Sequence, residues 1–156
     1  MSEPASAVNL GAAENTEGRI NVADALGSSA LEMFVYDIDP GQASCPYHYE
    51  YEEEWLLVVT GSVVVRRPDG EQQLEQGDLV RFPAGAAGAH KVMNRGSAPA
   101  RTMMFSIART PAVSVYPDSD KIGVFPGDPG DELFARRSDA VTWAYGEEGW
   151  DRADQR

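Results

Sequence analysis

An all-β sandwich or barrel is the fold class this sequence predicts, and three observations predict it. Between about residue 30 and residue 107 the apolar residues come in short runs of strand-favouring types, with no helical stripe. Glycine or proline punctuates those runs at regular spacing, as at Asp39–Pro40–Gly41, Thr60–Gly61 and Pro68–Asp69–Gly70. The chain has 156 residues, 42% of them apolar and 24% charged, which suffices for one cored domain and not for two.

Taken in order, Leu31–Ile38 is the first strand, closed by the turn at Asp39–Pro40–Gly41. Trp55–Val59 and Ser62–Arg66 are strands on either side of Thr60–Gly61. Pro68–Asp69–Gly70 is a hairpin signal that leads into a short strand near Glu71–Leu74. Leu79–Phe82 follows, and the small-residue loop Pro83–Ala89 then delivers His90. Lys91–Asn94 and Arg101–Ile107 are two further strands, joined through Arg95–Gly96–Ser97. Ala112–Tyr116 and Lys121–Phe125 add strands, Asp131–Arg137 reads as a short helix or strand, and Val141–Tyr145 as a final strand. At the other end, residues 1–17 are small, polar and acidic and read as a flexible tail, or at most an arm crossing a neighbouring surface. Gly18–Ser29 is a turn-rich entry segment, so the domain is expected over 18–156 with a short C-terminal extension. The sequence contains no internal repeat.

A net charge of −12 argues against nucleic acid and anionic membrane surfaces as partners, since both would be repelled. Cys45 is the sole cysteine, which excludes an intrachain disulfide and fits a reducing compartment. No apolar run approaches the ~18 residues of a membrane span, and no basic-then-apolar segment opens the chain. The expected location is cytoplasmic.

The stretch Pro40–Gly61 concentrates the chemistry. It holds one of two histidines and four glutamates within five positions, Glu50, Glu52, Glu53 and Glu54. Residues two apart on an extended backbone share a face. A strand here aims His48, Glu50 and Glu54 into one space, and Tyr47, Tyr49 and Tyr51 to the other side. By the same parity Cys45 is a packing residue, while Glu52 and Glu53 read as a solvated acidic loop. Imidazole nitrogens with carboxylate oxygens suit divalent manganese, iron, zinc or nickel. Two facing carboxylates also demand a proton or a positive partner.

Two blocks within residues 40–94 resemble the two motifs of the cupin superfamily. The first is Gly41, His48–Tyr49–Glu50, Glu54 and Gly61; the second is Gly77, Pro83–Ala84–Gly85, His90 and Asn94. The resemblance implies a double-stranded β-helix, or jelly-roll barrel, whose metal set is three histidines and one glutamate. Position for position, that set becomes His48, Glu50, Glu54 and His90. The sequence departs from the pattern in three places. Six residues separate Gly41 from His48 where the family has five, four separate Gly85 from His90 where it has two, and Glu50 stands where the family has its second histidine.

With two glutamates the ligand set carries −2, which neutralises a dication and weakens its power to polarise a bound oxygen. The resemblance implies a divalent transition metal (Mn, Fe, Zn or Ni), a small-molecule ligand, and a homodimer paired through edge strands such as Leu31–Val35. The implied activity is that of a metal-dependent enzyme: a dioxygenase, a decarboxylase, or an isomerase or epimerase of a sugar or keto acid. Glu50 would be a ligand or, detached from the ion, the catalytic base. A non-catalytic binding protein and a metal-free barrel, in which Glu50 marks loss of the site, are the alternatives on the same fold. The inner wall is expected from Met33 or Phe34, Val58, Phe82, Met93, Met103 or Met104, and Phe105. Asn94 is expected to satisfy a turn.

Overall fold

The structure is a computed structural model that describes residues 3–15 and 18–147. Its elements are β1 (Arg19–Asn21), α1 (Val22–Ala25), β2 (Leu31–Ile38), β3 (Tyr49–Glu50), β4 (Glu54–Thr60), β5 (Ser62–Arg67) and β6 (Gly70–Glu75). They continue with β7 (Leu79–Phe82), β8 (Lys91–Met93), β9 (Ala100–Ile107), β10 (Ala112–Tyr116), β11 (Lys121–Phe125) and β12 (Leu133–Arg136). All the paired strands are antiparallel. One sheet has the order β1-β2-β9-β4-β7, a second β12-β11-β10-β3, and a third β6-β5-β8. A bridge between His48 and His90 joins the second and third edge to edge, so the fold has two faces.

Alternation along the strands divides the interior in two. Ile38, Leu56, Val58, Val80, Phe82 and Ala100 of the five-stranded sheet meet Val63, Val65, Leu74 and Val92 of the three-stranded one in a single buried cluster. Further along the same strands the inward positions turn polar or aromatic: Glu32, Phe34 and Tyr36 on β2, Glu54 on β4, Ser106 on β9. One end of the barrel is therefore filled with aliphatic side chains, and the other is a cavity. Gly61 tightens the β4–β5 turn at φ +78°, and a Cβ there would stand 3.1 Å from the Ala100 backbone, so glycine alone fits.

Near the ends of the chain the structure sharpens the sequence reading, and at one stretch it corrects it. Gly18–Ser29 contains β1 and the short helix α1, nucleated where Asn21 Oδ1 accepts the Asp24 N–H at 3.1 Å. β1 pairs with β2, and α1 packs on it. Asp131–Arg137 resolves as β12 on the outer edge of β11. Val141–Tyr145 is not a strand. Its backbone closes turns, Tyr145 N–H to Thr142 O at 2.9 Å and Glu147 N–H to Ala144 O at 3.1 Å, which consume the groups a strand would offer. In the N-terminal segment the carbonyls of Leu10, Gly11 and Ala13 accept from the Arg101 guanidinium, which also grips both oxygens of Asp37. Among the described residues no helix is long and apolar enough to cross a membrane.

Candidate metal centre

His48 and His90 each stand one residue ahead of a strand, β3 and β8, and face each other across the seam between the two smaller sheets. They exchange both backbone hydrogen bonds, at 3.0 and 2.8 Å. Each ring is then fixed in the same way. His48 Nδ1 lies 3.0 Å from Pro46 O and His90 Nδ1 lies 2.9 Å from Gly88 O. A carbonyl can only accept, so each Nδ1 carries a proton and each Nε2 is the ring atom left to bind an ion.

The loop before His90 depends on Gly88. A Cβ there would stand 1.8 Å from the Pro83 carbonyl oxygen. The two extra residues of this loop are absorbed by the 3-10 turn Ala86–Gly88, which presents the Gly88 carbonyl to the ring. Phe82 stacks on His90 with centroids 3.7 Å apart and planes at 9°, which seals it against the core.

Glu54 opens β4, in phase with the buried Leu56 and Val58, and so turns inward. Its Oε2 lies 4.0 Å from His48 Nε2 and 3.8 Å from His90 Nε2. These separations are too long for hydrogen bonds. A tetrahedral ion with bonds of about 2.1 Å holds its ligands about 3.4 Å apart, so a closure of a few tenths of an ångström would bring the three atoms onto one ion. His90 Nε2 is fully buried and has no hydrogen-bond partner, an arrangement that costs free energy unless a cation takes the lone pair. The donor set of two imidazoles and one carboxylate fits a divalent transition metal.

The electrostatics agree. Burial and the neighbouring charge of Glu50 push the Glu54 carboxyl up to about 7, against the opposing pull of His48. Burial pulls the His48 imidazole down, but the Cys45 thiol and the carboxylates of Glu54 and Glu50 outweigh it and raise it to about 9. Burial and the proximity of His48 press His90 down to about 3. Without a cation the pocket traps a proton among these groups, and an ion would displace it.

Of the four residues predicted as ligands, the structure brings His48, Glu54 and His90 together. Glu50 stands in the same cavity, where its Oε1 accepts from Ser114 Oγ at 2.7 Å. The cavity holds about 380 Å³. Glu32, Phe34, Tyr36 and Met104 line one wall, and Glu50 and Tyr116 line the other.

Phe34, Met104 and Phe105 take the inner positions that the sequence suggested, and Tyr47, Tyr49 and Tyr51 stay out of the lining. Asn94 serves turns: its amide donates to Ile38 O and Ala98 O, and its Oδ1 accepts from Gly96 N–H. Cys45 departs from the parity argument. It lines the cavity beside His48, because residues 44–48 form no regular strand and alternation cannot be counted through Pro46. Glu52 and Glu53 are paired with arginines, Arg109 at 2.9 Å and Arg81 at 2.9 Å.

Sequence reasoning missed Glu32, Ser114 and Tyr116. Glu32 alternates with Phe34, Tyr36 and Ile38, and Ser114 with Tyr116, so the phase was legible. Which sheet the late strand joins was not.

A family model of the Cupin domain matches residues 34–106. The crystal structure of a sugar phosphate isomerase of the cupin superfamily from Silicibacter pomeroyi superposes with a TM-score of 0.71 at 27% identity, covering 83% of this chain and 83% of that one. A protein from Acidithiobacillus ferrooxidans, named for a proposed sugar phosphate isomerase activity, also superposes with a TM-score of 0.71, at 25% identity over 80% of this chain and 78% of its own. The tetracenomycin polyketide synthase protein TcmJ of Streptomyces glaucescens is 28% identical over 67 residues, or 43% of this chain. The match spans 44% of that curated relative's length. With both motifs around the ligand group, the chain carries a small cupin-type domain.

Proposed function

We propose that the protein is a metal-dependent isomerase or epimerase of a small hydroxy-carbonyl compound that bears an anionic group. His48, Glu54 and His90 hold a divalent transition metal, and Glu50 is the catalytic base. The observation that carries this reading is the position of Glu50, a carboxylate in the metal cavity that is bound to Ser114 and separate from the ligand group. Isomerisation needs that pairing of an electrophile with a nearby base.

When bound, the metal supplies a Lewis acid that polarises the substrate's carbonyl and hydroxyl oxygens. Glu50 takes the proton from the carbon next to the carbonyl and returns it to the neighbouring carbon, or, in an epimerisation, leaves the opposite face to be protonated by a separate donor. Tyr116, whose phenol is pushed up by burial, keeps its proton and offers a donor to a substrate hydroxyl. Phe34 and Met104 keep water from that side of the reacting carbon. Arg19, which also lines the cavity, offers a cation to a phosphate or carboxylate. The isomerase names of two structural relatives support the same reading.

The test is solvent exchange. Metal-loaded protein is incubated in deuterated water with a panel of aldose and ketose phosphates and hydroxy-keto acids, and deuterium at the carbon next to the carbonyl is followed by NMR. Exchange with one class that is lost in Glu50→Gln, while metal content is kept, is the expected result. Equal exchange in the variant would overturn the role of Glu50, and no exchange with any compound would overturn the isomerase.

The aromatic lining favours a second reading. Phe34, Tyr36, Phe105 and Phe125 offer flat faces suited to a polycyclic aromatic ligand, the kind of compound that the name of the Streptomyces relative suggests. Tighter binding of fused-ring phenols than of sugar phosphates would favour it.

A further inference from the structure

Glu50 serves as a base only while its carboxylate stays off the ion. It lines the same cavity as His48 and Glu54, at close quarters with the ligand group. Carboxylates within reach of a divalent cation are good ligands, and a free Glu50 side chain would turn to it. The backbone cannot prevent this, because it fixes only where the side chain begins. On one side Glu50 pairs with Ser114 in register; on the other its carbonyl accepts the Gly85 N–H at 2.6 Å. What remains free are the side-chain torsions.

Ser114 selects among them. It lies mid-strand in β10, directly opposite Glu50, and is 2% exposed. Its hydroxyl donates to Glu50 Oε1 at 2.7 Å, the length of a charge-assisted bond. Its own position is set from the far side by the pairing with Gly123 of β11. This strand lies beyond the segment matched by the Cupin domain model, which ends at residue 106.

We propose that Ser114 is a positioning residue that holds Glu50 outside the metal's ligand set; this inference rests on the metal-centred isomerase reading above. The restraint has two consequences. It keeps one carboxylate available for proton transfer. It also leaves the ligand set of His48, Glu54 and His90 with a single negative charge, so that a bound dication keeps net positive charge and its polarising power. Were Glu50 to join, both would be lost together.

Cobalt(II) is the probe, because its visible absorption weakens and shifts as ligands are added to a four-coordinate site. Spectra are recorded for cobalt-loaded wild type, Ser114→Ala, Ser114→Thr, Glu50→Gln and the Ser114→Ala/Glu50→Gln double variant. The expected result is a shifted, weaker spectrum for Ser114→Ala that returns to the wild-type spectrum in the double variant. Ser114→Thr, which keeps the hydroxyl, and Glu50→Gln alone should both match wild type. Identical spectra for Ser114→Ala and wild type would overturn the proposal. So would a shift in Glu50→Gln alone, since Glu50 would then already be a ligand. A wild type that takes up no cobalt overturns the ligand group and this inference with it. If the spectra behave as expected but no substrate exchanges deuterium, the isomerase falls and the restraint by Ser114 stands.

Discussion

His48 and His90 are bound to each other through both backbone groups, and each donates its Nδ1 proton to the carbonyl two residues before it. The same local device thus aims two Nε2 atoms toward Glu54, from residues that are 42 positions apart in sequence. The ring positions are set before any ion arrives. Removing either ring should therefore do more than remove one ligand. In His90→Ala the metal affinity should fall by more than about a hundredfold, since loss of supporting contacts alone costs about 10- to 100-fold at metal sites. Competition against a chelator of known affinity measures it, and a drop of less than tenfold would speak against His90 as a ligand.

Metal binding should strengthen with pH. Glu54 sits at about 7, above its ordinary value, so in the metal-free protein its burial becomes costly as pH rises from about 4.5 to 7. The cost is on the order of 3 kcal/mol. His48 is raised to about 9, so its contribution is present below about 6.5 and is lost as pH climbs through 9. His90 is depressed and works the other way, losing stability as pH falls from about 6.5 toward 3. Above pH 6.5 only the declining contributions remain. The metal-free Tm should fall between pH 6.5 and 9, and added ion should raise Tm more at pH 8.5 than at pH 6. Thermal melts with and without chelator measure this, and an equal gain at both pH values would contradict it.

Gly88→Ala should damage both fold and site. The added methyl meets the Pro83 carbonyl oxygen, and moving that backbone displaces the carbonyl that orients His90. A loss of about 2–3 kcal/mol in urea unfolding should come with weakened metal binding. A stable variant with full affinity would show that the loop relaxes without moving the ring.

Arg101 should matter more than an ordinary surface arginine. It binds both oxygens of Asp37 and three carbonyls of the N-terminal segment, and its hydrogen bonds hold the Asp37 carboxyl below its usual range. Arg101→Ala should cost about 2 kcal/mol at neutral pH. Part of the Asp37 contribution should already be gone in acid, as pH falls through that lowered value. Arg101→Lys should recover little, because one ammonium cannot serve a planar fork and a cluster of carbonyls together. Urea titrations at pH 7 read the difference, and a change within about 0.5 kcal/mol would place Arg101 among neutral surface positions.

How far the sequence carries can be judged from single residues. The strands from Leu31 to Phe125 were legible because period-two patterns and glycine or proline stops are local signals. His48, Glu54 and His90 were legible because two motifs put them in order around those stops. Cys45 was misjudged because Pro46 breaks the alternation that places a side chain. Val141–Tyr145 was misjudged because strand-favouring residues form a strand only where an edge accepts them. Ser114 was invisible as a partner for Glu50, since 64 residues separate them and only the β3–β10 pairing brings them opposite.

The central claim is a three-residue metal centre with Glu50 beside it, and metal stoichiometry tests it most directly. Tag-free protein is loaded separately with manganese, iron, zinc and nickel, desalted and analysed by elemental mass spectrometry, alongside His48→Ala, Glu54→Gln, His90→Ala and Glu50→Gln. About one equivalent of ion is expected in wild type and in Glu50→Gln, and little in the other three. Wild type that holds no ion under any loading, or His90→Ala that holds as much as wild type, would contradict it.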